Sequence, residues 1–301
     1  MRTILTLAFA LTVWPWADKN AASVNAQEKR GAVESYQELL KAYTKASGAF
    51  RGAESDEQRR QCAEQLGVFP QRFIELAERH RNDPVALVAL QQAIQAVLSA
   101  DSQTQYCWEL NREQFPDVAP GDSSSQIVEI LLRDHLRSDQ LAPICDRMRY
   151  GFRREFEKLL LALIDRSPHR NTRALACLAT AQLLRNQLQI VDRVAARPEW
   201  IARYNTLLSE DYLAEIRGDG RAALDRRIES LYEQALQYDD VMNFSFPETI
   251  AEKAKAELHE IRNLSLGKSA PEITGHDQNS RPLKLSDFRG KIVLLYFWSE
   301  Y

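Results

Sequence analysis

No charge of one sign dominates this 301-residue chain: 39 Lys and Arg stand against 42 Asp and Glu, for a net charge of -3. The basic footprint of a nucleic-acid-binding protein is therefore missing, and nucleic acid is not an expected partner. Arg59-Arg60 and Arg153-Arg154 are isolated pairs and read as solvated helix faces. Closely spaced cysteines are missing as well. Cys62, Cys107, Cys145 and Cys177 lie 45, 38 and 32 residues apart, which leaves neither a Cys-x-x-Cys pair nor zinc-type spacing. His80, His135, His169, His259 and His276 form no His-Glu-x-x-His pair and no facial triad. A Walker loop, a dinucleotide glycine fingerprint and a Gly-x-Ser-x-Gly elbow are all lacking. Acidic pairs are frequent, but 42 carboxylates on a largely helical chain produce them by chance. On these grounds no catalytic, cofactor-binding or metal-binding residue is named, and no cofactor is expected.

The N-terminus lacks an apolar run long enough to cross a bilayer. Arg2 precedes Ile4 to Val13, broken only by Thr6 and Thr12. That is about half of what a spanning helix requires. Trp14-Pro15-Trp16 end the run, and Ala21-Ala22-Ser23-Val24-Asn25-Ala26 supply small side chains. The pattern is that of a signal peptide over residues 1–26, cleaved after Ala26. We therefore expect an exported protein, periplasmic or secreted, with no stable membrane span after cleavage. In an oxidising compartment four cysteines can form two disulfides in three connectivities. Stacked helical hairpins would favour Cys62–Cys107 and Cys145–Cys177. Four buried free thiols on apolar helix faces are the equal alternative.

What is present is mostly helix. Forty-five per cent hydrophobic and 27% charged residues are usual for a soluble globular protein, and the length suggests about two domains. Residues 27–262 read as a helical domain. Val33, Tyr36, Leu39, Leu40 and Tyr43 form an amphipathic stripe, continued by Phe69, Phe73, Ile74, Leu76 and Ala77. Asp83-Pro84 is a capping residue followed by proline at the first helical position, and Val85 to Leu98 is apolar enough for the deep core. Pro116 to Ser125 reads as the main internal loop. Helical patterns resume at Gln126–Leu136, Phe152–Ile164, Thr172–Val194, Arg221–Tyr238 and Pro247–Asn263. Ser167-Pro168 repeats the Asp83-Pro84 arrangement about 84 residues on, each ahead of a helix rich in small residues. Stacked antiparallel hairpins, either as a short solenoid or as an irregular bundle, fit this pattern.

After Asn263 the texture changes. Leu266 to Pro271 ends the helices, and Glu272-Ile273-Thr274 and Pro282-Leu283-Lys284-Leu285 read as two strands of a hairpin around Asp277–Arg281. Ser286 to Lys291 is a tight polar connection. Ile292 to Trp298 is an unbroken β-branched and aromatic run, the mark of a strand covered on both faces.

These residues carry a resemblance. Gly267-x-x-Ala270-Pro271, Asp277, and Leu283-x-Leu285-Ser286-Asp287-Phe288-x-Gly290-Lys291-x-Val293-Leu294-Leu295-x-Phe297-Trp298 together resemble the opening of the redoxin superfamily. That superfamily holds thioredoxin-like thiol-disulfide oxidoreductases of the TlpA/ResA type and their antioxidant peroxiredoxin (AhpC/TSA) relatives. Residues 263–301 would then be the N-terminal fragment of a thioredoxin-like α/β domain, comprising its hairpin and first central strand. The partners implied are thiol- or disulfide-bearing protein substrates or reductants. Phe297-Trp298-Ser299 is similar to the disulfide-exchanging branch, whereas peroxiredoxins typically carry Tyr-Pro there. Two departures stand out. Family hairpins usually place glycine in the turn, where this chain has Asn279 and Ser280, and Asn tolerates a positive φ. In the family, three residues after Phe-Trp comes Cys-x-x-Cys. Here Ser299, Glu300 and Tyr301 follow, so the resemblance implies a chain cut just short of its catalytic cysteines and inactive as given. A second reading makes the helical region a repeat-type protein-interaction module with a vestigial redox domain.

Overall fold

The structure, a computed structural model, describes residues 19–109, 123–218, 220–265 and 267–296. The apolar run at 4–13 therefore lies outside the described residues. The first helix, α1 (Lys19–Arg51), crosses the expected cleavage point after Ala26. Along it Ala32 is buried, and Tyr36, Leu39, Tyr43, Ala46 and Phe50 pack against the core. Val33, expected on that stripe, is exposed. It lies one residue past Ala32, about 100° around the helix, which turns it out of the contact.

Two helical hairpins organise the body. α3 (Phe69–Arg79) turns into α4 (Pro84–Glu109), and α7 (Arg154–Arg166) turns into α8 (Arg170–Ala196). Each pairs a short helix with one at least twice as long, and the helices of each pair pack on each other. The same device closes both turns. Asp83 Oδ1 accepts the Val85 amide at 2.9 Å, and Ser167 Oγ accepts the His169 amide at 3.3 Å. Small residues interleaved with aliphatic ones let α4 and α8 sit deep: Ala86, Ala89, Leu90, Ala93, Ile94 and Val97 on α4, and Ala174, Ala176, Cys177, Ala179 and Ala181 on α8, are all buried. Pro84–Ser102 is long and apolar enough to cross a membrane by length and composition, yet 67% of it is buried inside the protein.

Shorter helices complete the body: α2 (Asp56–Gly67), α5 (Ser123–Ile130), α6 (Ala142–Met148), α9 (Ile201–Leu208), α10 (Glu210–Arg217), α11 (Gly220–Ala235) and α12 (Ile250–His259). The Ser123–Ser125 end of the expected loop instead opens α5, because Ser124 is buried against Arg153, whose Nη1 lies 3.4 Å from its hydroxyl. The rest of that loop, Pro116 to Asp122, lies outside the described residues. α8 touches α6, α7, α10, α11 and α12, and one hydrophobic cluster runs continuously from Ala32 to Leu258. A helix with so many partners is the hub of the helical body.

Beyond Leu258 no described residue is buried. The chain is thus mainly helical, with one two-stranded antiparallel sheet near its C-terminal end among the described residues. β1 (Thr274–His276) pairs with β2 (Pro282–Lys284) in the register Thr274↔Lys284, Gly275↔Leu283, His276↔Pro282. The strands sit up to two residues from the expected ones.

Candidate functional site

Two regions carry features that the packing of the body does not use. The first is the C-terminal segment. Its hairpin turn is braced by Asp277, whose Oδ1 accepts the amides of Asn279 at 2.8 Å and Arg281 at 2.9 Å. Ser280, not Asn279, takes the positive φ, at 60°. With Asp277 occupying the inside of the turn, the left-handed position falls one residue later than the sequence suggests. Glu272 then ties the first strand to the following turn by accepting the Ser286 amide at 3.0 Å, a bond that lowers its carboxyl pKa. The Lys284 amide donates to Asp287 Oδ2 at 3.1 Å, and Gly290 turns the chain with φ 81°.

The expected central strand is not formed at Ile292–Tyr296. These residues belong to no sheet and are all exposed, because the β1–β2 hairpin offers them no paired edge. They do not continue the helices either. Ile292, Leu294 and Tyr296 are at least 81% exposed, while Val293 and Leu295 are 41% and 48% exposed, the two-residue alternation of an extended segment. Phe297 and Trp298 lie outside the described residues.

The cysteines supply no chemistry to this segment. Cys62, Cys145 and Cys177 are free, so the Cys145–Cys177 disulfide does not form even though α6 and α8 pack together. Cys177 faces α11, donating from Sγ to the Leu231 carbonyl at 3.1 Å. Burial pushes its thiol up to about 12, and burial likewise raises that of Cys145. A thiol held protonated is not a nucleophile. The Cys107 side chain, half of the other expected pair, lies outside the described residues. Among the described residues no group of three or more His, Cys, Asp or Glu could hold a metal ion.

The second region is a cleft of about 770 Å³ on the helical body. One wall is the polar stripe of α4, formed by Gln91, Gln95, Ser99 and Ser102. The other is Asp146, Arg147 and Tyr150 at the end of α6, and Phe244-Ser245 close the top. The loop between α11 and α12 presents those last two. It is pinned by the amides of Asn243 and Ile250, each 2.8 Å from its acceptor, Glu248 O and Val241 O respectively. Thr249 then caps α12, its hydroxyl accepting the Glu252 amide at 3.1 Å. Behind the wall, Arg149 is buried between two rings, 4.7 Å from the centre of Tyr150 and 5.6 Å from that of Phe246. Its Nε is 3.3 Å from Asp146 Oδ1, and Ser245 Oγ donates to Asp146 Oδ2 at 2.8 Å. Arg147 reaches across the cleft to donate to Gln95 Oε1.

Sequence reading named none of these cleft residues, since three distant segments build the site. One signal was available. Met242-Asn243-Phe244-Ser245-Phe246 alternates apolar and polar residues where a loop joins two helices, and all three of its apolar side chains are exposed. No family model, curated protein or solved structure matches the chain.

Proposed function

We propose that residues 263–301 open a thioredoxin-like domain of the redoxin type, and that the protein is an exported thiol-disulfide oxidoreductase carrying a helical appendage. The observation that carries this reading is the order of parts after Leu264. A hairpin closed by Asp277 leads to a one-turn helix at Leu285–Phe288, a glycine at φ 81°, and an extended apolar run with alternating exposure and no partner strand. Such a run needs a sheet to cover it, and a central strand is the place where a thioredoxin-like domain would use it. In that fold the reactive sulfur begins a helix, where amide groups and the helix dipole favour the thiolate. The reading therefore needs a dithiol beyond Trp298, because Cys145 and Cys177 are buried with raised pKa values.

Reading the coding frame past Tyr301 tests it directly. Cys-x-x-Cys at the next positions, and reduction of insulin disulfides by the resulting product, is the expected outcome. A frame without that pair, or a full product that exchanges no disulfide, ends the oxidoreductase reading. Export is tested separately by N-terminal sequencing of the protein from the periplasm or medium, which should begin at Gln27.

A second reading is favoured by the exposed aromatic side chains around the cleft: the helical body is a protein-interaction module. In that reading the redox domain is vestigial, and the presence or absence of Cys-x-x-Cys past Tyr301 separates the two.

A further inference from the structure

We propose that the cleft between α4 and α6 takes an extended acidic peptide of a partner protein, with a carboxylate on Arg147 and an apolar side chain against Tyr150 and Phe244. The proposal rests on the interaction-module reading and names its site and ligand class.

Charge comes first. Asp146 is already engaged by Arg149 and Ser245, at 3.3 and 2.8 Å. Arg147 lines the same wall, donates to the neutral Gln95, and makes no salt bridge among the described residues. The unbalanced charge of the cleft is therefore positive, which selects a carboxylate. One such cation beside an acidic residue is far too little for nucleic acid, whose binding scales with the number of phosphates neutralised.

Length comes second. Gln91, Gln95, Ser99 and Ser102 line one wall of the cleft at helical spacing. From Gln91 to Ser102 the helix rises about 16 Å at 1.5 Å per residue. That is about five residues of extended chain at 3.3 Å each, a length that suits a peptide better than a small anion. Gln95 is bonded to Ser99 and Arg147, and Ser102 donates to the Leu98 carbonyl, which leaves Gln91 to meet the peptide backbone. Apolar anchoring comes third. Tyr150 and Phe244 line the cleft with 61% and 59% of their surface exposed, and Met242 and Phe246 stand exposed on the same loop. Tyr, Phe, Met and Arg are the residues that protein interfaces concentrate.

The test uses the full chain and fluorescein-labelled peptides of about six residues with Glu beside Leu or Phe, each matched by its Glu→Lys counterpart. Anisotropy should show the acidic series binding about tenfold more tightly, and more weakly as salt rises. Arg147→Glu should abolish or reverse that preference, and Arg147→Gln, which removes the charge but keeps a polar amide, should also erase it. Phe244→Ala should weaken both series while keeping the preference. Equal binding of both series, lost on Phe244→Ala, would overturn the acidic class and leave the interaction reading standing. Unchanged preference in both Arg147 variants would also overturn the proposal. Binding of neither series would end it together with the interaction reading for this cleft.

Discussion

Asp101 on α4 and Arg153 just before α7 meet as a two-pronged pair, with Nε 2.7 Å and Nη2 2.6 Å from the two carboxylate oxygens, and both side chains are buried. The pair clamps the C-terminal half of α4 to the start of the second helical hairpin. Removing one partner leaves the other charge in the core without compensation, which costs about 3–5 kcal/mol. Arg153→Leu or Asp101→Leu alone should lower the unfolding free energy by that amount in a urea titration. The double Leu variant should recover much of the loss, because apolar replacements of both partners leave no orphaned charge. A double variant no more stable than the worse single one would show that the pair does more than neutralise itself.

His135 gives the body a dependence on mild acid. It ends a π-helical turn at Leu131–His135, its Nε2 is buried without a hydrogen-bond partner, and burial depresses its pKa. Arg133 and Arg81 push the same way, while Asp134 opposes them. The unfolded chain therefore takes up the proton more readily, and stability should fall as pH drops below about 6.5, the ordinary histidine value. Urea midpoints at pH 7.5 and pH 5 should differ for the native protein, and His135→Phe should narrow the gap. Asp134 acts in the same direction but in a lower pH window. Its bonds to Arg133, and then to Arg81, hold its pKa down to about 2, so its contribution persists until strong acid. An undiminished gap in the His135 variant would place the acid sensitivity elsewhere.

The two long hairpins were legible because each turn announces itself locally, by a capping side chain beside a proline ahead of a small-residue helix. Asp83 and Ser167 then behave alike in space. The short helices α6, α9 and α10 were not legible, since about two turns carry too little periodicity to separate from loop. The free state of Cys145 and Cys177 depends on which neighbour each thiol faces, and spacing holds no such information. At the hairpin the turn was readable but its strained residue was not. Asp277 captures two amides, and that capture moves the positive φ to Ser280.

That strain is itself testable. A non-glycine residue in the left-handed region costs about 1 kcal/mol, and glycine removes the cost while adding some freedom to the unfolded chain. Ser280→Gly should therefore populate the hairpin more, by up to about 0.5 kcal/mol after that offset. Asp277→Ala, which deletes the acceptor of two amides, should populate it less. Cross-strand NMR contacts between Gly275 and Leu283, which face each other in the register, report the population. Stronger contacts in the Asp277 variant would contradict the brace.

The boundary near Leu258 should govern how the chain is cut. Lys268, Lys284, Arg289 and Lys291 all lie in exposed backbone beyond the last buried residue, with only a two-stranded sheet among the described residues to hold it, whereas Arg281 is shielded from trypsin by Pro282. Proteolysis follows local opening, and segments with little buried surface open at small cost. Brief trypsin treatment should therefore release the C-terminal segment and leave a helical core ending near Lys268. The uncovered Ile292–Tyr296 run should also drive association of the uncut chain, since apolar extended segments pair with one another when nothing else covers them. Replacing Ile292 and Leu294 by Lys should then cut light scattering on concentration while leaving the thermal unfolding of the body unchanged. If trypsin instead cleaved first within the helices, or if amide exchange across Ile292–Tyr296 were slow in the monomer, the segment would have to be packed against something, and both expectations would fail together.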